Sequence, residues 1–81
     1  MGSSSGNTSS QSAFRLLSTQ LGVRVKIYLT EGGYITGILR GYDMHMNVVV
    51  EDGEFTSETE KIKIGDLILR GAAIVAITSA D

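Results

Sequence analysis

Residues 23–42 read "VRVKIYLTEGGYITGILRGY". In the first eight, apolar Val23, Val25, Ile27 and Leu29 alternate with Arg24, Lys26 and Tyr28. Side chains on a strand point to opposite faces in turn, so this alternation predicts a strand with one buried face. "TEGGY" follows, and Gly32 with Gly33 supplies the positive φ angles that a tight hairpin needs. The chain then returns through "YITGILRGY", a second strand in which Gly37 and Gly41 predict a strong bend or bulge.

The same reading extends to both sides. "MNVVVED" predicts a third strand, and "GEFTSETEK" reads as a polar, acidic connection. In "IKIGDLILRG" the apolar phase shifts from Ile62 and Ile64 to Leu67 and Leu69 across Gly65, which predicts a β-bulge in a fourth strand. "AAIVAITS" predicts a short fifth strand. Upstream, Phe14, Leu17 and Leu21 have helical spacing, with Ser12 as N-cap and Gly22 where the helix should end. Residues 1–12 are mostly Ser, Gly, Thr, Asn and Gln and are expected to be a disordered leader, with the folded domain at 13–81. The fold class is therefore mostly β: a short N-terminal helix and a five-stranded, strongly bent antiparallel sheet, a small partly open barrel. No helical segment separates the later strands, which excludes parallel crossover units.

With 81 residues, a domain buries only about 60% of its unfolded surface and has a thin stability margin. Cysteine is absent, which removes disulfides, thiolate metal sites and a thiol nucleophile, and one histidine leaves little for a metal. Neither a cofactor nor a metal is expected. A hydrophobic fraction of 42% is compatible with self-association, and an incomplete barrel leaves strand edges that another copy could pair. Without a long apolar run or a basic, apolar N-terminal signal, the chain is expected to be intracellular. A net charge of −2 gives no general footprint for nucleic acid, so such a function requires a local site.

That site is sought in "GYDMHMNVVV", residues 41–50, where Asp43, His45 and Asn47 alternate ahead of an apolar strand. As plain turn residues, Asp43 and Asn47 bond their own backbone, His45 is a surface side chain, and Arg70 is an exposed strand-end charge. "GYDMHMNVVVE" together with "LILRGAAI", however, resembles the two signature motifs of the Sm and Sm-like protein family. Gly37, Leu39, Asp43, Met46, Asn47, Val48 and Val50 match the first motif; Leu69, Arg70, Gly71 and Ile74 match the second. Ala72 departs from the Asn or Ser that the family often carries there. The opening "LGVRVKIYLTEGGYITGILRGYD" is similar to the family's helix and first strands.

The resemblance implies a helix-capped bent sheet whose fourth strand pairs with the fifth strand of the next subunit. Rings of six to eight, most often seven, result. It implies single-stranded, uridine-rich RNA in the central pore, held by His45, Asn47 and Arg70, with Asp43 in support. His45 would stack on a base and Arg70 would lay its guanidinium plane on the other face. Asn47 would pair its donor and acceptor with uracil, and Asp43 would hold the amide against flipping. Gly71 would leave its N–H open beside the base. A ring would gather Arg70 side chains around the pore and explain how an acidic chain binds RNA. The compartment implied is cytoplasmic for an archaeal protein, nuclear or cytoplasmic for a eukaryotic one. The competing reading is an assembly scaffold of the same small-barrel class without specific RNA binding. An enzyme is not expected, because the His45–Asp43 pair has no placed nucleophile.

Overall fold

The computed structural model describes residues 5–80. Helix α1 (Ser5–Thr19) leads into β1 (Arg24–Leu29), β2 (Tyr34–Tyr42), β3 (Val48–Thr56) and β4 (Lys61–Leu69). One 3₁₀ turn at Gly71–Ala73 precedes β5 (Ile74–Ser79). The strands form one sheet in the order β4-β3-β2-β1-β5, and every ladder is antiparallel. β4 and β5 are therefore its two edges.

The alternation in β1 places Val25 and Ile27 fully in the core, while Leu29 and Val23 are half-buried. Ile35 and Leu39 from β2, Val48 and Val50 from β3, and Leu17 from α1 complete the buried cluster. The register of β2 with β3 shifts around Gly37 and again around Gly41, so both glycines mark bends in the second strand. In β4, Gly65 has φ +91° and the pairing with β3 slips beside it. This is the bulge that the change of apolar phase predicts.

Two expectations need correction. β3 continues through Gly53–Thr56, so the first four residues of "GEFTSETEK" are strand rather than connection. Phe55 explains this: it pairs with Ile35 and Ile62 and packs against the core, outweighing the acidic residues around it. The true connection is 57–60, closed by the Ser57 N–H donating to the Glu60 carbonyl at 2.9 Å. The helix also begins at Ser5, upstream of the expected cap at Ser12. Pro is absent from the chain, so nothing in these residues breaks the backbone hydrogen-bond ladder that runs back from the turn packed through Leu17. Of the expected leader, residues 1–4 lie outside the described residues.

α1 is held on the sheet by Leu17, which is buried, and by Phe14, whose ring lies 5.7 Å from that of Tyr42. The Tyr42 hydroxyl donates to the Phe14 carbonyl at 3.4 Å. Because Tyr42 ends β2, this contact ties the helix to the strand that enters the polar loop.

Candidate nucleic-acid interface

The loop between β2 and β3 is built around one carboxylate. Asp43 Oδ1 accepts the backbone N–H of His45 at 2.9 Å and of Asn47 at 3.0 Å. Asp43 Oδ2 accepts Nδ2 of Asn47 at 3.1 Å. The backbone closes the same loop: the Asp43 N–H donates to the Asn47 carbonyl at 3.1 Å, and the Met46 N–H to the Asp43 carbonyl at 3.0 Å. Met46 takes φ +64° in the reversal. That geometry lets Met46 pack against the core while His45 stays exposed.

The second loop, after β4, meets the first through Gly71. Its N–H donates to Asn47 Oδ1 at 2.8 Å. A Cβ at Gly71 would collide with the His45 carbonyl and stand 3.0 Å from the Met46 carbonyl carbon. Gly71 does not need a positive φ here; it is needed because the two loops touch. This corrects one sequence expectation: the Gly71 N–H is not open for a base, since Asn47 already accepts it. A glycine directly after a strand-end Arg was the available signal of close approach. The left-handed Met46 had no signal in its own residue type.

The Asn47 amide is thus fixed from both sides. Its nitrogen faces an acceptor and its oxygen faces a donor, so a flip would set two donors and two acceptors against each other. Each end keeps capacity: Nδ2 has a second hydrogen and Oδ1 a second lone pair. The half-buried Asn47 therefore offers a donor and an acceptor side by side, in fixed order. Asp43 is held below its ordinary pKa chiefly by the Asn47 side-chain N–H, against the opposing effect of desolvation. The backbone N–H groups of Asn47 and His45, and the charge on His45, act in the same direction as the amide.

Of the residues expected at the site, the structure joins Asp43, Asn47 and Gly71 by hydrogen bonds. His45 and Arg70 are exposed on the two adjoining loops, and Arg70 has no ion-pair partner among the described residues. A flat imidazole, a guanidinium plane and an oriented carboxamide can together hold a planar base by its faces and one edge.

The fold and this loop pair define a helix-capped, strongly bent five-stranded sheet that presents one oriented carboxamide edge per chain. The LSM domain family model matches residues 15–79, and the chain belongs to that family. It is similar to the small nuclear ribonucleoprotein G of Schizosaccharomyces pombe, 37% identical over 59 residues, 72% of this chain and 77% of that protein. Among solved structures it resembles a heptameric archaeal Sm protein, with TM-score 0.77, 30% identity and coverage of 83% and 98% of the two chains. It also resembles the Pyrococcus abyssi Sm protein in complex with a uridine heptamer, with TM-score 0.78, 31% identity and coverage of 83% and 96%.

Proposed function

We propose that this chain, through its domain at 13–81, is one subunit of an RNA-binding ring. The ring holds short uridine-rich single strands in its pore and acts as a scaffold or chaperone in intracellular RNA processing. The observation that carries this reading is the fixed order of donor and acceptor on Asn47. Uracil presents an O4 acceptor beside an N3–H donor, which meets Nδ2 and Oδ1 in that order; cytosine presents the reverse. His45 stacks on one face of the base and Arg70 lies on the other or meets the phosphate. Asp43 and Gly71 position Asn47 and do not touch the base. The protein is read as a binding protein rather than an enzyme.

Assembly into a ring of seven is supported by the two uncovered sheet edges. The β4 edge exposes Ile62, Ile64 and Ile68, at 46%, 47% and 71%, and the β5 edge exposes Val75 at 66%. Pairing β4 of one copy with β5 of the next would cover both edges, and the archaeal relative described above is heptameric. Among the described residues no helix is long and apolar enough to cross a membrane.

Native mass spectrometry of the chain, offered oligo-U and oligo-C together, tests the reading. A closed ring that retains oligo-U, and loses it on Asn47→Ala, is the expected result. A ring that holds neither RNA, or holds both equally, rejects the base-reading role of Asn47.

A further inference from the structure

A recess beside the Asn47 amide offers an apolar floor that uracil itself does not cover. It holds about 380 Å³, with Asp43 and Asn47 on its rim and Gly41, Val49 and Ile68 beyond them. Three strands supply the floor: Val49 on β3 pairs with Gly41 on β2 and with Ile68 on β4. Val48 and Val50 are buried in the core, so Val49 between them faces outward and is 41% exposed. Val49 also lies one strand in from the β4 edge, so its backbone partners are already taken within the chain.

Packing of Val49 on Ile68 stabilises the sheet without any ligand. It does not account for Gly41. That glycine has no positive φ, and a Cβ there would stand 3.7 Å from Val49 Cγ2, an ordinary contact. Neither a left-handed backbone nor crowding calls for a missing side chain at this position. Its absence leaves one flank of Val49 open.

The amide fixes which edge of a base reaches this floor. Nδ2 of Asn47 lies on the Asp43 side, and Oδ1 on the Gly71 side. A uracil with O4 on Nδ2 and N3–H on Oδ1 turns C5, the ring atom next to C4, towards Asp43. Asp43 and Val49 line the same recess. Uracil carries only hydrogen at C5 and leaves Val49 open to water. A methyl group at C5 would cover it.

We propose that this recess is a subsite for a methyl group on C5 of the bound base. The preferred base is then 5-methyluracil, carried as 5-methyluridine in RNA or as thymidine in single-stranded DNA. This rests on the base-reading role of Asn47 and names the base that the role selects. Apolar side chains recognise the thymine methyl by the same contact. Covering one methyl group is worth about a threefold gain in affinity per nucleotide.

The test compares the affinity of the assembled protein for short oligomers of uridine, 5-methyluridine, deoxyuridine and thymidine, with oligo-C as reference. Each methylated strand should bind at least about threefold more tightly than its unmethylated counterpart. The absolute affinities of the ribose and deoxyribose pairs distinguish RNA from DNA as the source of the base. Val49→Thr keeps the branched shape and sets a hydroxyl on the floor. The ratio of methylated to unmethylated affinity should fall towards one in that variant. In the unmutated protein, nuclear Overhauser contacts should join the base methyl to the Val49 methyls. A methyl advantage that survives Val49→Thr undiminished overturns the proposal, because it then comes from stacking alone. Equal or weaker binding of the methylated strands overturns it too. The two readings fail separately. Without selection of oligo-U over oligo-C both fall, whereas selection of oligo-U with no methyl advantage rejects the recess alone.

Discussion

Gly71 and Asn47, 24 residues apart in the chain, are joined by a 2.8 Å hydrogen bond from the glycine N–H to the asparagine Oδ1. This bond makes two loops into one site. It also places the tightest steric constraint of the site on a residue with no side chain. Replacing Gly71 by Ala would push a methyl group into the His45 carbonyl and against Met46. Overpacking of this kind typically costs about 1–3 kcal/mol. Gly71→Ala is expected to lower the urea midpoint of the chain and to weaken oligo-U binding together. Unchanged binding in a stable Gly71→Ala protein would show that the loops need not touch.

Asp43 holds the other side of the amide. Asp43→Asn keeps the shape, but the two backbone N–H groups on Oδ1 hold the new amide oxygen and leave its NH₂ facing Asn47, so that end now favours the flipped orientation. Gly71 alone then resists the flip. The expected outcome is a loss of preference for oligo-U over oligo-C larger than the loss of total affinity. A discrimination of about 1–3 kcal/mol is the scale of one well-placed bidentate contact. Calorimetric titration of both oligonucleotides against both proteins measures it.

How much of this was legible beforehand follows from the kind of signal each element carries. β1 announced itself by strict alternation, and the hairpin by Gly32 and Gly33, whose φ angles are +100° and +76°. The β4 bulge was visible as a phase shift at Gly65. The end of β3 was not, because Glu51, Asp52 and Glu54 read as a polar connection while Phe55 carries the packing. The candidate site residues Asp43, His45, Asn47 and Arg70 were legible only as types in a motif. The use of the Gly71 N–H was not, since a contact between loops so far apart depends on register, which residue types do not specify.

The site should also respond to acid. Because the folded-state pKa of Asp43 is depressed, its contribution to loop order is fully present above the unfolded value of about 3.9. It is lost as pH falls through the lower folded value. Loop order should therefore be constant near neutrality and decline only in strongly acidic solution. The Asn47 side-chain NH₂ resonances report this directly: they should shift with the titration of Asp43 and stop shifting in Asp43→Asn. A transition centred above about pH 4 would contradict the hydrogen-bonded carboxylate.

The edge strands supply the last test. Ile64 on β4 is 47% exposed in the single chain, so Ile64→Lys removes little from the chain's own core. In a ring the same position would lie at a pairing edge, where a lysine resists burial against an apolar neighbour. The chain is therefore expected to stay folded while sedimentation shows it moving from ring to monomer. Oligo-U affinity should fall with it, because each subunit offers a single Asn47 and several must act on one strand to bind it tightly. A folded Ile64→Lys ring with unchanged oligo-U affinity would place the subunit contact away from β4. A monomer that still bound oligo-U as tightly as the ring would show that one pair of loops suffices.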